Sequence, residues 1–177
     1  GVNPAEEKRK LSNEITFKEL FDKYIEEYAK HNTKSWRDDI AEMDRKAKHL
    51  YNVKISRIKK EDIQRLFNQL TINTGKGGAN RFLDRLRAVF NKAIRDWGWQ
   101  GINPAAGITK HKQKSRDRYL TKEEMPYFFE ALNEEANTKI TDYIWLCLLT
   151  GARKTNVLEM SWQDISFANE TWYIPDT

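Results

Sequence analysis

The sequence predicts a mainly α chain, an N-terminal four-helix bundle followed by a mixed α/β unit that ends in a β-hairpin. Three observations point there. Apolar residues recur at spacings of three and four from Phe17 to Trp97, the mark of amphipathic helices. A basic stretch with almost no apolar residues interrupts that pattern at 105–118. Beyond it lies a further helical run, and then β-type composition between Trp162 and Pro175. The expected organisation is therefore a polar joint at 1–13, a helical domain at 14–104, a basic linker at 105–118, and a second unit at 119–177.

Each element has its own signal. Thr16 and Glu19 form a capping-box pair that opens the first helix, with Phe17, Leu20, Phe21, Tyr24, Ile25 and Tyr28 as its apolar stripe. A second helix begins near Ser35 and carries Trp36, Ile40, Met43, Ala47 and Leu50 on one face. After a turn at Tyr51-Asn52, a short third helix bears Ile63, Leu66, Phe67 and Leu70. The three glycines between Thr71 and Gly78 predict a loop, and Lys76 lacks the following Ser or Thr of a phosphate-binding loop. The fourth helix, about 79–97, gathers Phe82, Leu83, Leu86, Val89, Phe90, Ala93, Ile94 and Trp97 on one face, and Arg81, Arg85, Lys92 and Arg95 on another. In the second unit Thr121 and Glu124 form another capping box, before a helix with Met125, Phe128, Phe129 and Leu132. Ile140 to Leu149 is nearly all apolar and predicts a buried helix, with Cys147 as plain packing. Ile165 and Phe167, a turn at 168–170, then Trp172 and Ile174 predict the hairpin, with Tyr173 packing in its sheet.

Composition narrows the function. No apolar run approaches the roughly 20 residues of a membrane-spanning helix, and the first ten residues do not look like a secretory signal. A single cysteine excludes an internal disulfide and points to the cytoplasm. The three histidines and Cys147 have no metal-ligand spacing, so neither a metal nor another cofactor is expected. Charge is strongly polarised. Residues 1–120 hold 27 basic against 16 acidic residues, whereas 121–177 hold 4 against 10. Between Arg45 and Arg118 there are 19 basic and 5 acidic residues, which suits a polyanionic partner such as double-stranded DNA.

The run Thr150-Gly151-Ala152-Arg153, followed by Val157-Leu158, Met160, Trp162 and Asp164-Ile165, resembles the first catalytic-arginine box of tyrosine site-specific recombinases of the phage-integrase family. Asn103-Pro104-Ala105 before the basic stretch, and Arg118-Tyr119-Leu120-Thr121 with Glu123-Glu124 after it, are similar to the passage between that family's two domains. Gly1-Val2-Asn3-Pro4 with 6–10 resembles the joint after an arm-binding domain. The resemblance implies a SAM-like core-binding bundle, then a truncated catalytic domain, from a prophage or mobile-element enzyme of DNA integration. That enzyme would assemble as an oligomer on its core-site DNA, cutting and rejoining through a 3′-phosphotyrosyl link.

In that chemistry Arg153 is the catalytic residue. Its planar fork of donors grips non-bridging phosphate oxygens as charge builds on them, assisted by backbone N–H groups at the Gly151 turn. Lys34, Arg37, Arg81, Arg85, Lys92 and Arg95 are the expected DNA contacts of the bundle, with Lys110, Lys112, Lys114 and Arg116 closing a clamp from the linker. Two departures stand out. Asn156 occupies the place where family members often carry a glutamate, and neither an H-x-x-R box nor a late tyrosine follows Arg153. Tyr173 comes too early to be the nucleophile. The chain is therefore expected to be a fragment that cannot cleave DNA alone. The alternatives are a non-catalytic DNA-binding regulator and a helical bundle whose basic surface meets an acidic protein.

Overall fold

The computed structural model describes residues 14–115 and 117–175 and divides into two compact units between Ser115 and Arg116. The structure is mainly helical, with one two-stranded antiparallel sheet near its C-terminal end. The joint at 1–13 lies outside the described residues. Among the described residues no helix is long and apolar enough to cross a membrane.

In the first unit, helix α1 starts at Phe17–Tyr24, widens into a π-helical turn over Ile25–Ala29 and ends with Lys30–Asn32. Its capping box forms as the sequence predicts, with Thr16 and Glu19 each satisfying an orphan N–H of the other. The π turn left no mark in the apolar spacing. Helix α2 spans Trp36–Ala47. The chain then returns through two 3-10 turns, Lys48–Leu50 and Ile55–Arg57, and pairs with the strand-like entry to α1. Phe17 N–H donates to Val53 O at 2.9 Å, and Ile55 N–H to Ile15 O at 3.2 Å.

The expected break between the third and fourth helices is present but shorter than predicted. Lys60–Arg95, together α3, holds two helical arms that meet at Gly75, whose φ of 74° and ψ of 168° fall in a region open essentially to glycine alone. A straight helix would hold Ile63 and Leu86 about 35 Å apart. Instead Ile63, Leu66, Phe67 and Leu70 share one tight seam with Ala79, Phe82, Leu83 and Leu86, so the arms 60–74 and 76–95 fold back on each other. Gly77 and Gly78, expected in the loop, belong to the first turn of the second arm. Helix propensity is a weak prior, and tertiary packing overrides it here.

The core of this unit is built around Phe17, Phe21, Phe82 and Phe90, all at most 1% exposed, with Phe17 and Phe90 stacked at 5.5 Å. It also takes in Ala105 and Ile108, which corrects the expectation that 105–118 cannot contribute to a core. Two well-placed apolar residues are enough once side chains hold the backbone. Arg87 donates to the carbonyls of Ala105 and Ile108, and buried Asn103 accepts from Ala105 N–H at 2.9 Å while donating to Arg87 O and Asn91 Oδ1.

In the second unit α4 spans Met125–Glu134, α5 Thr138–Thr150 and α6 Lys154–Leu158. Glu124 accepts from Thr121 N–H at 3.0 Å, but the helix proper begins a turn later, with Pro126 in its opening positions. Strands β1, Ile165–Ser166, and β2, Thr171–Trp172, form the expected hairpin, with Ile165 opposite Trp172. Trp162 stands just before it in a 3-10 turn. Helix α5 is not buried, contrary to its composition. Leu149 is 76% exposed, and none of the helix's residues is fully covered. The described elements of this unit bury only Leu132 and Val157, too little surface to enclose an apolar helix. Cys147 is accordingly half-buried, and Tyr173 is exposed rather than packed in the sheet.

Because a Cβ at Gly75 would meet no atom within 4 Å, a Gly75→Ala change tests backbone conformation alone. It should lower the unfolding free energy by about 1–3 kcal/mol in urea denaturation. The caps predict acid sensitivity. Backbone hydrogen bonds from Thr16 and from Lys59, the latter joined by Arg65, hold the carboxyls of Glu19 and Asp62 below the usual carboxylate range. Their stabilisation is complete above that range and is lost as pH falls through it toward the lowered values. A Glu19→Ala/Asp62→Ala variant should be less stable at neutral pH and show a flatter loss of stability on acidification, read from urea midpoints across the acid range.

Candidate nucleic-acid interface

The basic face expected on the second arm of α3 divides in two. Arg81 and Arg95 are exposed, and no carboxylate lies within ion-pair distance of either among the described residues. Arg85 is turned inward, which corrects its expected place among the free DNA contacts. Its guanidinium meets Asp39 at 2.5 Å and also bonds Glu42, joining α3 to α2. Lys46 reaches the same Glu42 at 3.1 Å, its side chain buried and its ammonium 5.1 Å from the Phe82 ring centre. Lys92 is held too, by Asp96 one turn on and by the Tyr28 ring, 4.1 Å from its ammonium.

Burial sets the protonation of this network. Desolvation pushes the Asp39 carboxyl above its ordinary value, and Arg85 opposes the shift without cancelling it. For Glu42 burial also pulls upward, but hydrogen bonds from Lys46 and Arg85 outweigh it and hold that carboxyl low. Arg85 is the one guanidinium that satisfies both acids.

On α2, Lys34 precedes the helix and is exposed, and Arg37 is exposed with its guanidinium 4.3 Å from the Trp36 ring centre. Among the linker bases, Lys110 pairs with Asp84 at 2.9 Å. Lys112 and Lys114 are exposed and line one cleft with Lys76, Gly77 and Gln113. Arg116 lies outside the described residues. Sequence reasoning passed over Asn80, 7% exposed, which bonds the backbone of His111 in both directions. An asparagine inside an otherwise well-patterned helix was the available signal, since asparagine is a poor helix former.

The second unit presents Arg153. Helix α5 closes on Gly151 in the left-handed conformation, φ 63°, with its N–H bonded to Cys147 O at 3.0 Å. Thr150 Oγ1 donates to Leu146 O at 2.5 Å and accepts from Ala152 N–H at 3.2 Å, fixing the turn. Arg153 follows with extended backbone as the N-cap of α6, exposed and without a carboxylate partner among the described residues. Asn156, one turn on, has its Oδ1 buried with no hydrogen-bond partner.

This architecture matches solved structures. A lambda integrase tetramer bound to a Holliday junction aligns over 94% of this chain and 50% of its own, with a TM-score of 0.75 and 20% identity. A lambda integrase dimer bound to a COC′ core site aligns over 94% and 47%, with a TM-score of 0.73 and 20% identity. A second such dimer on a COC′ core site aligns over 86% and 56%, at 0.70 and 21%. The chain has the phage-integrase fold. It spans about half the length of the lambda integrase chains it matches. No family model matches the sequence, and no curated protein matches it by sequence. Of the expected DNA contacts in the first unit, Lys34, Arg37, Arg81, Arg95, Lys112 and Lys114 have no ion-pair partner among the described residues, whereas Arg85, Lys92 and Lys110 do.

Removing Arg85 leaves buried Asp39 without its cation, while Glu42 keeps Lys46. Arg85→Met should destabilise the protein by about 3–5 kcal/mol, and Arg85→Met/Asp39→Leu should recover much of that loss. Urea denaturation of both variants gives the comparison. A loss below about 1 kcal/mol, the scale of an exposed pair, would return Arg85 to the solvated face.

Proposed function

We propose that the chain is the core-binding region and the opening of the catalytic domain of a tyrosine recombinase, gripping crossover-site DNA for cutting and rejoining through a 3′-phosphotyrosyl intermediate. The observation that carries this is the phage-integrase fold across 94% of the chain. The Thr150–Arg153 turn adds to it, because its residue types are those the chemistry needs.

Affinity comes from the first unit. Lys34 just before α2 and Arg37 on it, with Arg81 and Arg95 on α3, contact duplex phosphates, and cations released from the DNA drive association. Arg153 has a different task. A tyrosine oxygen attacking a phosphodiester places charge on the non-bridging oxygens, and an exposed guanidinium on a fixed turn meets two of them at once. No H-x-x-R pattern occurs in these 177 residues, and on this reading cleavage needs that box and a nucleophilic tyrosine besides Arg153. The lone Cys147 accords with a cytoplasmic setting.

Arg81→Ala/Arg95→Ala should weaken duplex binding at low salt, and the slope of log affinity against log salt should fall by about 0.9 for each phosphate no longer bound. Arg153→Ala should leave that affinity nearly unchanged, yet lower cleavage by at least about 100-fold in a protein carrying the full catalytic set. Lysine at 153 should rescue poorly, since a point charge cannot reproduce a two-pronged grip. Intact cleavage by Arg153→Ala would favour a non-catalytic DNA-binding regulator instead.

A further inference from the structure

The stretch after Pro104 is a strap rather than a free linker as far as His111. Its backbone is held by both arms of α3. From the first arm, the Phe67 ring stacks on the His111 imidazole at 4.7 Å and 15°. The Thr71 hydroxyl, which donates to Phe67 O, bonds His111 Nε2 at 2.8 Å. From the second arm, Asn80 Oδ1 accepts from His111 N–H at 2.9 Å and Asn80 Nδ2 donates to His111 O at 2.8 Å. An amide that returns both bonds of one residue fixes that backbone unit in position and direction, and at 7% exposure water does not compete for it.

Beyond this anchor the strap is charged. Lys112 and Lys114, with Gln113 between them, line one cleft with Lys76 and Gly77, and no acidic residue lines it. The approach is close at Gly77, where a Cβ would stand 3.0 Å from Gln113 Nε2. None of the three lysines has an ion-pair partner among the described residues, unlike neighbouring Lys110 with Asp84. Three like charges around one cleft repel, and an anion relieves that repulsion.

We propose that Asn80 is a positioning residue for phosphate binding: by fixing the strap to α3 it holds Lys112 and Lys114 beside Lys76 as one preformed patch for the sugar–phosphate backbone of duplex DNA. This rests on the DNA-binding reading above and adds to it a site, Lys76, and a neutral residue that governs it. The patch is set before DNA arrives, so ordering the strap costs little on binding.

The test measures duplex affinity as a function of salt for the 177-residue chain and three variants. Lys76→Ala/Lys112→Ala/Lys114→Ala should lower the log–log salt slope by about 2.7, one bound phosphate for each lysine. Asn80→Leu changes no charge, yet should lower it by about 1.8 as the two strap lysines come loose. Two glycines inserted between His111 and Lys112 keep every charge and every strap bond. They should lower the slope similarly, and this variant decides the matter if Asn80→Leu fails to fold. An unchanged slope in the triple variant, with wild-type binding intact, overturns the patch alone. A lowered slope in the triple variant with no change in the two neutral ones overturns the positioning role. A wild-type chain that does not bind duplex DNA overturns the DNA-binding reading itself.

Discussion

The first unit depends on the reversal of chain direction at Gly75. A run of 36 helical residues would otherwise be a rod with two apolar faces and no partner for either. One residue at φ 74° turns the second arm back on the first, and the seam from Ile63 to Leu86 closes. Other features presuppose that closure. The dock for His111 is assembled from Phe67 and Thr71 on one arm and Asn80 on the other. The second arm also supplies Phe90 to the stack with Phe17, which carries α1 and the paired segment at 51–55. The cost of a backbone region closed to other residues is local, whereas the apolar burial it permits extends over the whole unit.

Once the arms are in place, the distribution of basic residues is set by the groups each one meets. The second arm carries a band of positive charge, but α2 lies against part of it with Asp39 and Glu42. Charges facing a neighbouring helix cannot remain unpaired, so Arg85 enters an ion network and Lys92 lies over the Tyr28 ring beside Asp96. Arg81 and Arg95, away from that packing, stay in solvent. The strap sorts its bases in the same way, since Lys110 lies within reach of Asp84 and Lys112 and Lys114 do not. Available positive charge is thus what internal pairing leaves over.

Those two facts also explain what could be read from the sequence. The helices of the first unit were legible because the apolar residues of α1, α2 and both arms keep a 3.6-residue period, and Thr16 with Glu19 announced a start. The hairpin was legible from its composition and turn, and the Thr150–Arg153 turn from its residue types. The Gly75 reversal was legible only to within the eight residues from Thr71 to Gly78, because three glycines look like a loop whether one or all of them break the helix. A helical wheel gives the direction in which Arg85 points, not what stands in that direction. The strap escapes any reading that judges core membership by the number of apolar residues, because Ala105 and Ile108 are brought in by bonds that Arg87 donates and Asn103 accepts. The apolar character of α5 was plain, but its burial required partners that the described residues do not supply.

Arg153 and Arg85 carry the same group and show how surroundings divide its uses. Arg85 is paired with two carboxylates, so its charge is neutralised inside the fold and acts on stability. Arg153 stands where the chain has just made a left-handed turn at Gly151, with Thr150 bonded to the backbone on both sides of that turn. Its backbone is fixed while its side chain is exposed and, among the described residues, unpaired. A fixed backbone limits the directions a guanidinium can take, and the lack of an internal partner leaves its donors free for an oxyanion from outside. The same absence bears on Asn156, whose buried Oδ1 lacks a donor and carries no charge of its own. A neutral amide there brings no carboxylate to the turn, and Arg153 keeps no opposing charge among the described residues.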